Sequence, residues 1–481
     1  MAGVGFELKK MFKNETKGTN IRGYLVSSLV TAGPTVICIS LILFMKYFLQ
    51  LHGEIYTNIE LFISTMVYCY TFSLIVTGGL SFLVVRYISD CFYNGKISRI
   101  LPSFFGVLII TIGIVNLAVI PFLYKAPLPL NIKIITYITF VELCIIWTFS
   151  SYITGIKDYM GILLGFLLSA FVIFIGMISF RGVGILSPVM KAFIWISIGF
   201  LFTIIFFLYK MIKYYGAKEF DVKYVFHFIT IIDEKKRLIF IGVFYYLGIF
   251  IHNIIFWFSQ EGNIIAGTYR MAAFYDVPIF YAMLSVIPAT VMFVVKMETS
   301  FYDKYRRFFA LIKNDGSIAE ISNSKKEMIA TLYNELRYIM MAQIIITFIS
   351  MFLGVVFLPR IGASLLTVDI FMIVTLAAYC QSILFIIMVI LLYFDEIKGA
   401  TMISVLFFVL VTVLTFITLL MGTDYYGYGF FAATVITLLF AFKRLNYYIN
   451  RIDYYIFSKQ PVYKKDKNGI FTKIYNRIWP S

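Results

Sequence analysis

Residues 101–124 read LPSFFGVLIITIGIVNLAVIPFLY, a run without a charged side chain. A helix needs about 20 such residues to cross the ~30 Å hydrocarbon layer of a bilayer, so this run is long enough to span a membrane. Because lipid offers the backbone no hydrogen-bonding partners, a spanning segment of this length and composition is expected to be an α-helix. Comparable apolar runs recur along the chain, and we predict about twelve spans, at residues 23–49, 60–85, 101–124, 134–156, 159–180, 184–209, 238–258, 276–296, 338–358, 364–393, 400–421 and 426–442.

The composition of the 481-residue chain agrees with an all-α membrane protein. It is 61% hydrophobic and only 14% charged, whereas soluble domains are about half apolar and about one quarter charged. The five cysteines form no CxxC pair and the three histidines form no HExxH pattern, so we expect neither a disulfide framework nor a zinc site. The sequence also lacks a GxxxxGK[ST] loop, and we expect no ATP site and no cofactor.

The positions of the basic residues predict the direction of the spans. Lys and Arg are retained on the cytoplasmic side of short loops, and an inside N-terminus puts most of the 41 basic residues on that side. Both termini are therefore expected in the cytoplasm. The same placement accounts for the formal net charge of +16, so we attribute that charge to loops beside anionic lipid and expect no nucleic-acid partner.

A short repeat and two polar stretches predict the domain organisation. Val84-Val85-Arg86 at the end of span 2 is echoed by Val294-Val295-Lys296 at the end of span 8. Six spans per half is an even number, so two six-helix lobes related as parallel pseudo-repeats are expected. The predicted divisions are a cytoplasmic interfacial segment at 1–22, an N-lobe at 23–209, a cytoplasmic linker at 210–237, a C-lobe at 238–442 and a basic cytoplasmic tail at 443–481.

The predicted C-lobe includes a cytoplasmic loop at 297–337. Its Asn314-Asp315-Gly316-Ser317 is a turn signal. Apolar residues follow at helical spacing, at Ile318, Ile321, Met328, Leu332 and Leu336. This pattern predicts an amphipathic helix that lies on the membrane or on a partner.

Ionisable residues inside a membrane are costly and are the default functional candidates. Glu142 lies near the middle of span 4, where a proton or cation relay, a substrate hydrogen-bond site and a structural hydrogen bond between helices are all open interpretations. Lys191 lies a turn or two inside span 6 and is a candidate to face a cavity for an anionic sugar or phosphate. Asp276 lies near the predicted outer surface, where a simple interfacial role is the alternative.

Opposite charges at the inner ends of spans 2 and 8 form a candidate gate. Arg86 and Asp90 have the i,i+4 spacing of a helical ion pair, and Lys296 is followed closely by Glu298. Either a gate at the cytoplasmic mouth or ordinary interfacial pairs would produce this pattern. Helix breakers inside spans are candidate hinges, namely Gly33, Pro34 and Pro288.

Several short motifs resemble one family of transporters. They are AGVGFELKK at 2–10, AGP at 32–34, TGGL at 77–80 with RY at 86–87, YDVP at 275–278, SVIP at 285–288, and ET at 298–299 with FY at 301–302. With the length and span count, they resemble the PelG-type exopolysaccharide transporters. These belong to the MOP superfamily of polysaccharide flippases and multidrug antiporters.

The resemblance implies a non-enzymatic, two-lobe carrier that works by alternating access in the bacterial plasma (inner) membrane. Its implied cargo is a Pel-like, galactosamine-rich exopolysaccharide or a precursor of it. The implied partners are membrane lipid, the polysaccharide, a cytoplasmic glycosyltransferase and other membrane proteins of a synthase complex.

Three other functions remain as alternatives. An ion-coupled antiporter of small organic cations would use Glu142 as its protonatable site. A membrane-embedded glycan polymerase or ligase is disfavoured by the short outer loops that the spans predict. A non-transporting scaffold for a polysaccharide synthase would tolerate changes to the intramembrane charges.

Overall fold

The structure is a computed structural model that describes residues 33–34, 36–38, 40–156, 158–179, 187–216, 220–458 and 469–479. Within these residues, eleven helical segments are long and apolar enough to cross a membrane, by length and composition. They coincide with predicted spans 2–12. Predicted span 1 lies partly outside the described residues, and most of its described part belongs to a shorter apolar helix, α1 (Val36–Leu51). The predicted interfacial segment at 1–22 lies wholly outside them.

The described residues form two compact units. The first unit runs from Gly33 to Ala272. After α1 it contains α2 (Tyr56–Tyr93), α3 (Ile100–Lys125), α4 (Leu130–Ile156), α5 (Tyr159–Ser179), α6 (Pro188–Tyr215), α7 (Thr230–Lys235), α8 (Arg237–Trp257), β1 (Asn263–Ile265) and β2 (Tyr269–Met271).

The second unit begins at Ala273 and contains seven helices within the described range 273–458. They are α9 (Ala273–Leu284), α10 (Ile287–Lys296), α11 (Tyr302–Lys313), α12 (Ile318–Phe357), α13 (Leu365–Tyr393), α14 (Ile397–Met421) and α15 (Tyr428–Asn450), with a π-helical turn at Met297–Phe301 between α10 and α11. The last described element, α16 (Ile470–Ile478), belongs to the first unit.

Glycines let α2 and α8 approach each other closely. A Cβ atom at Gly242 would lie 2.1 Å from the backbone oxygen of Gly78, and one at Gly78 would lie 2.1 Å from Cδ2 of Tyr246. Small residues at such crossings allow membrane helices to pack with their backbones near one another. This packing places α8 in the first unit, whereas the sequence-based boundary put that span in the C-lobe. The division into six-helix lobes stays a prediction.

Local sequence sets the start of α6. The Ser187 hydroxyl accepts a hydrogen bond from the Met190 N–H at 3.3 Å, and Pro188 occupies the first turn. A serine cap satisfies one of the free N–H groups at a helix start, and proline suits the first turn because its missing N–H is not needed there. The helix therefore begins four residues after the predicted start of span 6 at residue 184.

A two-stranded antiparallel hairpin, β1–β2, follows α8 and is the exception to the all-helical prediction. The Tyr68 hydroxyl on α2 donates to the carbonyl oxygen of Arg270 at 2.9 Å and accepts from the Arg270 N–H at 3.0 Å. The Tyr68 ring also stacks on Trp257, with 4.9 Å between ring centroids. These contacts fasten the hairpin to the predicted outer half of α2.

The centre of the second unit is α13. It packs against α9, α12, α14 and α15, and 72% of its most apolar window is buried, the largest share among the described spans. A helix that is apolar on all sides and surrounded by other helices belongs to the interior of a bundle.

The amphipathic helix predicted in the loop at 297–337 and predicted span 9 form one continuous helix, α12. It is 40 residues long, which corresponds to about 60 Å at 1.5 Å per residue, roughly twice the thickness of the hydrocarbon layer. A capping box made by Ser317 and Glu320 begins it, and neither glycine nor proline occurs between that cap and Gly354. Nothing in the sequence therefore ends the helix where the polar loop meets the span.

The apolar face of the first half of α12 packs within its own unit. Met328, Leu332 and Leu336 are buried, and α12 contacts α11 and α10. Ile318, which was predicted on this face, is 89% exposed. The predicted amphipathic character is therefore present, but the chain itself covers the apolar stripe that was expected to lie on the membrane or a partner.

Span 8 is broken into α9 and α10. Pro288 lies in the first turn of α10, and α9 ends at Leu284, four residues earlier. A proline ring clashes with the carbonyl group four residues before it and supplies no N–H to that carbonyl. The break thus occurs at the position where Pro288 would disrupt a continuous helix.

Candidate functional site

Glu142 is a buried carboxyl group between two helices of the first unit. Its side chain is 8% exposed on α4, and Oε1 accepts a hydrogen bond from the Ser197 hydroxyl on α6 at 2.9 Å. Oε2 is buried and has no hydrogen-bond partner among the described residues. A buried carboxylate oxygen without a partner carries a large desolvation cost, so this group is suited to hold a proton or a cation.

Lys191 is closer to the end of its helix than the sequence suggested. Because α6 begins at Pro188, Lys191 lies in the first turn, where it is half-buried. Ser197 follows six residues later, about 9 Å further along the helix axis. Lys191 and the Glu142–Ser197 pair therefore occupy different depths of the first unit.

Arg86 and Asp90 form the ion pair that their spacing allows. Arg86 Nε lies 3.1 Å from Asp90 Oδ1 on α2, and the two side chains are 34% and 37% exposed. A pair this exposed is screened by water and contributes little to stability. The pair stays a candidate for gating because it lies near the predicted inner end of α2.

Lys296 pairs with Glu335 on α12. Lys296 Nζ, at the end of α10, lies 3.2 Å from Glu335 Oε2 and 4.5 Å from the centroid of the Tyr338 ring. Glu298, the partner proposed from sequence, lies in the π-helical turn, and its side chain is outside what the structure describes. Sequence reasoning missed Glu335 because the two residues of the pair are distant in the chain.

The break in span 8 is supported by a buried amide. Gln343 on α12 is 0% exposed, and its Nε2 donates to the carbonyl oxygen of Ser285, between α9 and α10, at 2.8 Å. Its Oε1 is buried without a hydrogen-bond partner among the described residues. Gln343 could have been found from sequence, because it is the only amide side chain in residues 338–357.

A second buried ion pair of this unit was also missed. Arg444 on α15 donates to Glu396 Oε1, and Glu396 is 5% exposed at the start of α14. Gly399 leaves room for the arginine, since a Cβ atom there would lie 2.9 Å from Arg444 Nε. The two residues are 48 positions apart in the chain, so no local spacing indicated their pairing.

Asp276, Gly33 and Pro34 are the remaining predicted residues. Asp276 is half-buried in the first turn of α9. Gly33 and Pro34 are the first described residues, and a Cβ atom at Gly33 would lie 2.3 Å from Cδ1 of Leu163. The roles of these residues in translocation or hinging stay predictions.

Metal-ligand and thiol chemistry finds little support in the part of the chain that the structure describes. No cluster of three or more His, Cys, Asp or Glu side chains that could hold a metal ion occurs there. The five cysteines are free and buried, as expected for small hydrophobic residues in a membrane protein. The candidate functional groups among the described residues are the Glu142 carboxyl, the Gln343 amide and the ion pairs.

Comparison with known proteins identifies both a family and a fold. A family model described as PelG, exopolysaccharide exporter (EPS-E), matches residues 1–457. No curated protein matches.

Solved structures of MATE transporters share the fold at low sequence identity. An outward-facing multidrug resistance MATE transporter of the MOP superfamily is 9% identical, with a TM-score of 0.58 over 89% of this chain and 96% of that one. The Vibrio cholerae MATE transporter VcmN, solved as a point mutant, is 12% identical, with a TM-score of 0.60 over 93% and 98%. An inward-facing multidrug resistance MATE transporter is 8% identical, with a TM-score of 0.53 over 86% and 99%.

Proposed function

The chain belongs to the PelG exopolysaccharide exporter family, and from that membership we propose that it carries a Pel-like, galactosamine-rich polysaccharide or its precursor across the bacterial inner membrane. The family match over residues 1–457 carries the proposal. The MATE-like fold and the eleven described spans agree with a non-enzymatic membrane transporter. Transport would proceed by alternating access, with both termini in the cytoplasm.

A cytoplasmic glycosyltransferase is the proposed source of the polymer. The charged face of α12 offers a surface for such a partner, because its apolar stripe is already packed within the second unit while residues such as Glu320 and Lys326 are exposed. Other membrane proteins of a synthase complex would complete the assembly.

The ion pairs near the predicted inner helix ends are the proposed gating elements. The Arg86–Asp90 pair lies within α2, and the Lys296–Glu335 pair joins α10 to α12. The break at Pro288 gives α9 and α10 a place to change angle, and the Gln343 amide can follow the freed carbonyl group of Ser285.

Deletion and complementation test the export function. A strain lacking this protein is expected to lose cell-associated and secreted polymer, while its extracts still polymerise nucleotide sugar. The wild-type chain and a Gly113→Ala variant, whose added methyl group meets open space, should both restore secretion. Normal secretion without the protein would refute the proposal. Glucosamine, rather than galactosamine, as the main amino sugar of the polymer would refute only the cargo.

A second candidate function, proton-coupled export of small organic cations, is favoured by Glu142. Its buried carboxyl has one oxygen without a hydrogen-bond partner among the described residues, and the structural relatives include multidrug transporters. This function predicts that Glu142→Gln cells become sensitive to cationic drugs while polymer secretion persists. Unchanged drug sensitivity in the Glu142→Gln strain would refute this second function.

A further inference from the structure

The C-terminal helix α16 has one apolar face that its own unit leaves uncovered. Ile470, Ile474 and Ile478 recur every four residues, which places them on one side of the helix, and they are 74%, 47% and 56% exposed. Phe471 adjoins this face and is also exposed. Asn476 lies on the opposite side, about 160° around the helix from the centre of the isoleucine face at 100° per residue.

A different side of α16 is fastened to the first unit. The Asp233 carboxylate on α7 accepts hydrogen bonds from the Phe471 N–H at 3.2 Å, the Thr472 N–H at 2.7 Å and the Thr472 hydroxyl at 2.6 Å. Asp233 therefore caps the start of α16 from a distant segment, since an acceptor there satisfies free N–H groups and complements the helix dipole. The Tyr475 hydroxyl donates to the Lys223 carbonyl oxygen at 2.9 Å.

The anchor holds α16 next to the entry of a membrane span. Its helix partner α7 ends at Lys235, and α8, one of the segments able to cross a membrane, begins at Arg237. The part of α7 that contacts α16 therefore lies only a few residues before the start of that span. A helix at this level meets the lipid head groups, where amphipathic helices partition.

The charges of α16 match an anionic membrane surface. Lys473 and Arg477 lie on the flank of the isoleucine face and are exposed, and the helix itself carries no acidic side chain. Basic residues beside an apolar face are drawn to anionic lipid. An apolar face flanked by basic residues is typical of an interfacial helix, and this favours lipid over a protein partner as the occupant.

We propose that α16 is an interfacial membrane anchor. Its isoleucine face inserts at the boundary between head groups and acyl chains, Lys473 and Arg477 contact anionic head groups, and Asp233 ties the helix to the first unit. The helix lies beyond residue 457, where the family match ends, so this anchor does not depend on the cargo proposed above. Its role is to fix the end of the tail at the membrane surface beside α8.

Site-specific fluorescence on the full-length protein tests the anchor. An environment-sensitive fluorophore is attached in separate samples to Ile474→Cys and to the matched control Asn476→Cys, since the native cysteines are buried. Each is reconstituted in phosphatidylcholine vesicles with phosphatidylglycerol and a lipid-borne nitroxide quencher. We expect quenching several-fold stronger at position 474 than at position 476, and the reverse preference for aqueous iodide.

Two further variants separate the parts of the proposal. Asp233→Ala should reduce the difference between the two sites, because the helix loses its cap. Lys473→Gln combined with Arg477→Gln should remove the dependence of lipid quenching on phosphatidylglycerol. Equal lipid quenching at both positions, or a label at position 474 shielded from both quenchers, would overturn the proposal, the latter in favour of a protein covering the face.

Discussion

Lys296 Nζ lies 3.2 Å from Glu335 Oε2, so the end of α10 is bound to α12 through a pair whose side chains are only 22% and 16% exposed. The Tyr338 ring lies beneath the same ammonium group, 4.5 Å from centroid to Nζ. The π-helical turn Met297–Phe301 follows directly. The short second half of the broken span is thereby held by a helix that continues past it.

Removing one member of this pair is expected to destabilise the protein by about 1–3 kcal/mol, because it leaves the other charge partly buried and alone. Lys296→Met and Glu335→Gln should each lower the melting temperature of the purified protein, and the swap Lys296→Glu with Glu335→Lys should restore much of it. Lys304→Met is the control. It breaks a pair with Glu327 whose side chains are 40% and 47% exposed, so its effect should stay below about 1 kcal/mol. Equal losses in both pairs would contradict this assignment.

Replacement of Glu142 tests whether its carboxyl carries a proton during transport. Glu142→Gln keeps an acceptor for the Ser197 hydroxyl but cannot ionise, so the fold should persist while any pH dependence of transport disappears. Ser197→Ala, which leaves the carboxyl able to ionise, should retain a pH dependence. Secreted polymer, measured against external pH, is the readout. A Glu142→Gln profile that follows the wild type would assign Glu142 a structural role.

Gly242 tests the packing of α2 against α8. Gly242→Ala would place a methyl group 2.1 Å from the Gly78 backbone oxygen. Because that oxygen belongs to the backbone of α2, one of the two helices would have to shift. We expect a loss of about 1–3 kcal/mol, as for overpacked interiors. Gly113→Ala, on α3 with nothing within 4 Å of the added atom, should be neutral or stabilising by up to about 1 kcal/mol. Thermal unfolding in detergent measures both, and a Gly242→Ala protein as stable as the control would refute the close approach.

The stability of the α16 docking region should decrease in acid because of His227. Arg99 donates to Nε2 at 2.9 Å, the Tyr87 hydroxyl lies 3.3 Å from Nδ1, and the Tyr475 ring packs edge-on. Burial, followed by the positive charges of Arg99 and Lys96, lowers the pKa of His227 from 6.5 to about 4. The ring of Tyr224 also packs edge-on against the ring of His227.

The sign follows from proton uptake. Between pH 6.5 and about 4 the unfolded chain binds a proton at His227 and the folded chain does not, so stability is fully present above 6.5 and falls as the pH drops toward 4. Limited proteolysis of the tail at several pH values measures this loss. His227→Gln should flatten the part of the curve that lies between these two values. A wild-type tail that becomes more protected in acid would contradict the assignment.

Hydropathy and local spacing predicted the features that depend on neighbouring residues. The apolar runs placed spans 2–12, the i,i+4 spacing of Arg86 and Asp90 produced their ion pair, and Pro288 marked the break in span 8. Each depends on the chemistry of one short segment: transfer into lipid, helical geometry, or the missing N–H of proline.

Features set by long-range packing could not be predicted in the same way. Lys296 pairs with Glu335, 39 residues further along the chain, because α12 runs past the end of α10. The length of α12 itself was missed because a polar surface was taken as the end of a helix, although helix propensity continues through it. The docking of α16 on Asp233 joins residues 238 and 239 positions apart, beyond the reach of any periodic pattern.

The continuity of α12 makes it a mechanical lever. Its first twenty residues extend about 30 Å from the half that crosses the membrane, since each residue adds 1.5 Å. A tilt of about 10° in the crossing half would displace the far end by roughly 5 Å on that arm. A protein bound near Ile318 would thus be displaced further than the crossing half itself moves. Conversely, a force applied near Ile318 would move the crossing half over a smaller distance and act on it with a larger force.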